Sequence, residues 1–316
     1  MNETLAETLR DAAGRLEFER ALGGRFRYAG PAPAGAPESA APAARAPAPT
    51  PEPVAPFAPA HAVELPMPVA EVPSPAVEAP VPVAGEAPAA PARPALPPAP
   101  PIAAPVDEAL YERIAALVPV DSPLRAMTSL SEIGEWLERT VLVPIDAKRT
   151  RAVLGDGCET ADLMVIGEAP GADEDQQGIP FVGRAGQLLD KVLEAVGFNR
   201  QNAYITNVVK SRPPRNRDPE PEEVAAHLPI LHQQIAIVRP RLILVVGKVA
   251  AATLLGRREP MDRLRGVFHD LHGIPLMVTY HPAALLRNPA WKRPTWDDVR
   301  MLRGRYDEIA GASDHG

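Results

Sequence analysis

Apolar residues fall in two kinds of run along the last two-thirds of the chain. Short, largely apolar runs at 162–166, 204–209, 241–246 and 275–280 are rich in β-branched residues and stop at Gly or polar residues. Such runs predict buried strands. Between them the spacing turns helical. Leu188, Leu189, Val192, Leu193 and Val196 mark one face over 186–196, stopped by Gly197. Pro221 opens a helix over 221–238 with acidic residues in its first turn, and further helices are predicted over 248–255 and 296–309. Two more precede the first strand, over 107–118 and 129–140; Ser129 or Ser131 opens the second, which carries Ile133, Trp136 and Leu137. The alternation predicts an α/β fold: a three-layer α/β/α domain around a mainly parallel four-stranded central sheet.

The first third follows neither pattern. Residues 1–28 form a short amphipathic helix candidate, with Leu5, Leu9, Ala12, Ala13 and Leu16 at helical spacing. Alone it is too short to fold firmly, so it packs on the main domain, frays, or docks a protein partner. Residues 29–105 hold roughly two dozen of the 40 prolines. Proline withholds backbone donors, and so few large apolar groups cannot offset ordering entropy, so this tract reads as a disordered, extended linker. One folded domain is then expected over 106–316.

Composition narrows the function classes. The net charge of −7 gives no global sign of nucleic-acid binding, so local patches must supply one. A single cysteine, Cys158, rules out an intrachain disulfide or a cysteine-built metal cluster within one chain. No apolar run is long enough to span a membrane, and the charged N-terminus lacks a signal core, so a cytoplasmic monomer is the expectation.

Candidate chemistry gathers at the strand ends. A parallel sheet puts the segments after all four strands on one edge. The first strand runs into Gly167-Glu168-Ala169-Pro170-Gly171, then Asp173, Glu174, Asp175 and Phe181. The second ends in Asn207 and continues through Lys210, Arg212, Arg215 and Arg217, four cations in eight residues. The third ends in Gly247-Lys248, and the fourth leads to His281, Leu285, Leu286 and Arg287. Each has a plainer reading alone: a turn cap, a structural histidine, a solvated loop, a core ring. Together they suit a base drawn out of a nucleic-acid stack. An amide pairs with a pyrimidine edge, a ring stacks on its face, and cations neutralise phosphates. A histidine donates to an oxygen that gains charge, and a carboxylate orients water. Neither a G-x-G-x-x-G nor a phosphate-cradling P-loop is present.

The segments GEAPGADED…PFVGRAG, NVVKSRPPRNRDP and HPAALLR resemble the three signature segments of the uracil-DNA glycosylase superfamily, closest to its type-4, iron–sulfur branch. The likeness covers roughly residues 129–309 and makes 106–316 a catalytic domain of that kind. It implies removal of uracil from DNA after the nucleotide is flipped out, with uracil-containing DNA as partner. By position, Gly167 to Gly171 form the water-activating loop, whose backbone near Glu168 and Ala169 contacts uracil O2. Phe181 stacks on the base, Asn207 reads its N3 and O4 edge, and His281 bonds O2. Leu285, Leu286 and Arg287 enter the duplex, while Lys210, Arg212, Arg215 and Arg217 meet phosphates. Ala169 stands where the best-known branch has a catalytic Asp, which leaves Glu168 or Glu174 as the water-positioning carboxylate.

One departure stands out. Type-4 members ligate a 4Fe–4S cluster through four cysteines, and the matching positions here are Thr140, Val143, Ser211 and His227. Such clusters are held by thiolates, so none is expected. Apolar packing around Val141, Leu142, Val143 and Ile145 is expected to replace that staple. A competing reading keeps the fold as a weak or inactive DNA-binding scaffold; uracil release separates the two.

Overall fold

The computed structural model describes Ala99, Pro101, Ile102 and residues 106–311. The expected helix over 1–28, and all but those three residues of the tract before 103, lie outside the described residues.

In chain order the elements are α1 (Glu108–Ala115), α2 (Leu130–Arg139), β1 (Asp156–Gly157), β2 (Leu163–Gly167), α3 (Ala172–Gln177), α4 (Arg184–Glu194), β3 (Ala203–Asn207), α5 (Pro221–Val238), β4 (Leu242–Val246), α6 (Lys248–Leu255), α7 (Met261–Leu264), β5 (Phe268–Leu271), β6 (Ile274–Thr279), α8 (Pro282–Arg287) and α9 (Lys292–Gly311). The sheet order is β1-β3-β2-β4-β6-β5. Its centre is the expected set of four parallel strands, β3-β2-β4-β6. Two antiparallel edge strands raise the total to six. Their sequences are short or mixed in polarity because an edge strand covers little core. The hairpin joining β5 to β6 turns on His272 and Gly273, both at positive φ, which suits a tight two-residue connection.

Both faces of the sheet are covered. Along β2, Met164 and Ile166 belong to one buried cluster and Leu163 and Val165 to the other; β4 divides in the same way. This period of two is why the central strands read as unbroken apolar runs. Residues of α1, α2 and α5 pack on the first face, and those of α4, α8 and α9 on the second. Ser129, not Ser131, caps α2, in a reciprocal capping box with Glu132. Ala99 and Ile102, read from sequence as linker, are buried: Ala99 N–H donates to Gly197 O (3.0 Å) and Ile102 N–H to Asp162 Oδ2 (2.9 Å). Among the described residues, no helix is long and apolar enough to cross a membrane.

From β2 the chain steps to β3 on one side and then to β4 on the other. Such a reversal opens a crevice at the carboxyl ends of the strands.

Candidate active site

A cleft of about 860 Å³ occupies that crevice, lined by residues that follow β2, β3, β4 and β6. Its geometry starts from Gly167. In register Gly167 pairs with Asn207 across the parallel strands. A Cβ at Gly167 would lie 2.4 Å from Asn207 Oδ1 and 2.4 Å from Phe181 Cζ. The missing side chain is therefore what lets ring and amide meet on one floor. The His281 ring closes the group, 5.7 Å from the Phe181 ring between centroids. Gly247, at φ 103°, leaves room for it; a Cβ there would lie 3.2 Å from His281 Cβ. Asn207 Oδ1 is buried with no hydrogen-bond partner in the protein. A buried acceptor without a partner is costly, so this oxygen is available to a donor entering the cleft.

Phe181 takes a left-handed backbone, φ 56°, unfavourable for an aromatic residue. Two features impose it. A Cβ at Gly186 would lie 1.7 Å from Phe181 O, so only glycine lets the loop fold back onto α4. Arg200 donates to Phe181 O (2.7 Å) and Pro180 O (3.1 Å) while paired with Asp156 (2.8 Å) and Asp190 (3.1 Å). Nothing in the local sequence around Arg200 announced this clamp.

The two glutamates part company. Glu174 accepts from the backbone N–H groups of Gly171 (3.0 Å), Val182 (2.9 Å) and Gly183 (2.9 Å). Both carboxylate oxygens thus join the Gly167–Gly171 loop to the Phe181 loop, so Glu174, which also lines the cleft, is tied into its wall as an anchor. Its place three residues after the N-cap Gly171 was a legible capping signal. Glu168 lines the cleft, and burial, reinforced by the Asp218 carboxylate, pushes its pKa up to about 7. His281 goes the other way: burial, then the Arg287 charge, pushes it down to about 4. Ala283 N–H donates to His281 Nδ1 (3.2 Å), so the proton of the neutral ring sits on Nε2.

The expected DNA contacts divide. Lys210 does not reach the surface. It is fully buried, its Nζ donating to Thr206 Oγ1 (2.8 Å) and Asn207 O (2.5 Å). It braces the amide-bearing strand end. Leu285 is likewise fully buried, because α8 turns it toward the core; its neighbour Leu286 is 42% exposed. Arg217 lines the cleft but already pairs with Glu223 (2.6 Å). Arg212 bonds Asn216 Oδ1 (2.7 Å), and Arg215 and Arg287 are exposed. The cleft wall also holds Lys248 and a stacked pair, Tyr280 and Trp291, 4.6 Å between centroids; the pair was missed in the sequence.

Thr140, Val143, Ser211 and His227 do converge, but around a carboxylate and a guanidinium. Asp146 Oδ2 accepts from Leu142 N–H (2.8 Å) and Val143 N–H (3.0 Å). Its Oδ1 lies 3.2 Å from His227 Nε2, off the axis of a good hydrogen bond, and 3.5 Å from Arg149 Nη1. Arg149 donates to Ser211 Oγ (3.2 Å) and to the carbonyls of Thr140 (3.0 Å) and Leu137. Burial alone would raise the Asp146 pKa; the polar side chains of His227 and Ser211 beside it and the Val143 N–H overcome this and hold the group well below the usual carboxylate range. The expected apolar replacement is half met: Ile145 is buried and Val143 packs against the same core. Val141 is 62% and Leu142 37% exposed, because the loop turns its backbone N–H groups inward to Asp146. Among the described residues, no three His, Cys, Asp or Glu side chains are grouped to hold a metal ion.

Comparison with known proteins agrees with the geometry. The profile described as "Uracil DNA glycosylase superfamily" matches residues 154–300. A type-4 uracil-DNA glycosylase of Pyrobaculum aerophilum is 43% identical over 183 residues, 55% of this chain and 93% of that one. One from Saccharolobus solfataricus is 42% identical over 186 residues, 56% of this chain and 86% of its own. One from Thermotoga maritima is 40% identical over 158 residues, 49% of this chain and 82% of its own.

Proposed function

Because the chain belongs to the uracil-DNA glycosylase superfamily, in its type-4 branch, we propose that it hydrolyses the N-glycosidic bond of deoxyuridine in DNA and releases uracil. The observation that carries this reading is the meeting of the Phe181 ring, the unpartnered Asn207 amide oxygen and the His281 ring on one cleft floor. A flat heterocycle with a donor–acceptor edge is what such a floor accepts.

In this reading the flipped base stacks on Phe181. Asn207 Oδ1 accepts from uracil N3–H and its Nδ2 donates to O4, a pairing that cytosine's edge cannot satisfy. As the C1′–N1 bond breaks, its electron pair passes to the base, and charge grows on O2. Neutral His281 donates to that oxygen from Nε2 without first losing a proton to solvent. Water adds its oxygen to C1′, and its proton passes to the Glu168 carboxylate. A pKa near 7 poises that group to be ionised and still basic. The exposed Arg215 and Arg287 sit where DNA phosphates would approach, and Leu286 is the residue offered to the gap left in the duplex. The reading extends to a cytoplasmic monomer.

A single-turnover assay on uracil-containing oligonucleotide tests it. Wild-type protein releases uracil, and His281→Ala and Asn207→Ala lose about 10²-fold or more in rate. Wild-type protein that stays inert at excess enzyme, while still binding the oligonucleotide, would establish the scaffold reading instead.

A further inference from the structure

A 4Fe–4S cluster is implied for this branch, and the residues present do not fit one. The four matching positions offer two hydroxyls, an isopropyl group and an imidazole, where thiolates are needed. The space they enclose is taken by the side chains of Asp146 and Arg149, 0% and 5% exposed. The one cysteine, Cys158, lies elsewhere, just after β1.

What the pair touches says what it does. A buried ion pair adds little net stability over apolar packing, but it fixes register, because a misplaced partner leaves a buried charge uncompensated. Here both charges sit on one loop, and their further contacts reach a second segment distant in sequence. The first is the loop from Thr140 to Arg149. The second bears Ser211 at its start and His227 one turn beyond Glu223. Arg149 bonds Ser211, where the cationic loop departs from the strand end. Asp146 meets His227, whose Nδ1 faces Glu223 O at 2.8 Å. Glu223 holds Arg217, where the same loop ends. Both roots of the loop that puts Pro213, Asn216 and Arg217 on the cleft are therefore tied to one buried pair.

We propose that the Asp146–Arg149 pair takes the cluster's place as the pin that fixes the Ser211–Arg217 loop over the cleft, so that the loop's position does not depend on iron. The inference rests on the family assignment and on geometry, not on uracil release. Its readouts therefore stand apart from those of the glycosylase reading.

The test uses the full chain. Iron content and visible absorption are measured after anaerobic purification, and hydrogen exchange is followed by segment in wild type, Asp146→Asn and Ser211→Ala. Wild type is expected to lack stoichiometric iron. Both variants are expected to speed exchange in residues 140–149 and 211–217 by about tenfold, leaving β2 and β4 unchanged. They are also expected to bind duplex DNA about three- to tenfold more weakly. Ser211→Ala removes a single hydroxyl and serves alone if Asp146→Asn does not fold. Stoichiometric iron in the wild type overturns the proposal. So does unchanged exchange at 211–217, or a rise spread evenly over the sheet.

Discussion

Glu168→Gln separates two effects of one buried carboxyl, because they run in opposite directions with pH. The pKa of Glu168 is raised from an ordinary 4.5 to about 7, first by burial and then by Asp218. A raised carboxyl pKa means that the native state prefers the protonated form. The associated stability is complete below the unfolded value of 4.5, drains as pH rises to about 7, and is gone above it. At ~1.4 kcal/mol per pH unit the full shift corresponds to a ceiling of ~3 kcal/mol; because the side chain is partly open to the cleft, ~1–2 kcal/mol is the working figure. Glutamine carries no charge to bury. The variant should therefore be more stable than wild type by about 1–2 kcal/mol near pH 8, and no more stable near pH 4. Activity moves the other way. The wild-type single-turnover rate should fall about tenfold per unit below pH ~7, whereas the variant should be about 10²-fold slower at its best and flat with pH. Urea unfolding at the two pH values and quenched-flow excision measure both quantities. A variant with the wild-type rate profile, or with the same stability increment at both pH values, refutes the assignment of Glu168 as the ionising base.

Three further outcomes follow from the cleft and its supports. Gly186→Ala forces a methyl into the Phe181 carbonyl; it should cost about 2–4 kcal/mol in unfolding free energy and abolish excision, read by denaturation and single turnover. Lys210→Met should leave the salt dependence of DNA binding unchanged, since that side chain is fully buried, whereas Arg215→Ala should lower the slope by about one; a salt titration of affinity distinguishes them. Leu285→Ala should destabilise the fold by about 2–5 kcal/mol, while Leu286→Ala should change stability by less than about 0.5 kcal/mol and weaken action on duplex relative to single-stranded substrate; paired melts and assays on both substrates decide it.

The sheet's centre was legible because parallel strands buried on both faces need continuous apolar residues, as in Leu163–Gly167 and Leu242–Val246. Its edges were not. Asp156–Gly157 is two residues long, and Phe268–Leu271 sets the polar pair His269 and Asp270 between two apolar residues, like any exposed turn. The convergence of Phe181, Asn207 and His281 followed from topology alone, since a parallel sheet sends all its carboxyl ends to one rim. The fates of single side chains did not follow. Lys210 sits in a run of cations that reads as solvated, and only the backbone's path turns it inward onto Thr206 and Asn207. Leu285 and Leu286 are adjacent in sequence and chemically identical; the phase of a six-residue helix decides which enters the core. The Asp146–Arg149 pair was hidden for a related reason: its partners are backbone groups and residues more than 60 positions away.

The carboxylate of Glu174 has a bearing on how this protein is read by mutagenesis. Three amide hydrogens from two separate loops end on it, so the Gly167–Gly171 loop and the Phe181 loop shift together or not at all. A scan that substitutes residue 174 would register a collapse in turnover as steep as that of a true proton acceptor, through the loss of these three bonds alone. Shortening it to aspartate, which keeps the charge but retracts its reach by one methylene, should cripple the protein just as alanine does. A proton acceptor would tolerate that change in part, so the aspartate variant tells a tie-rod from a reagent.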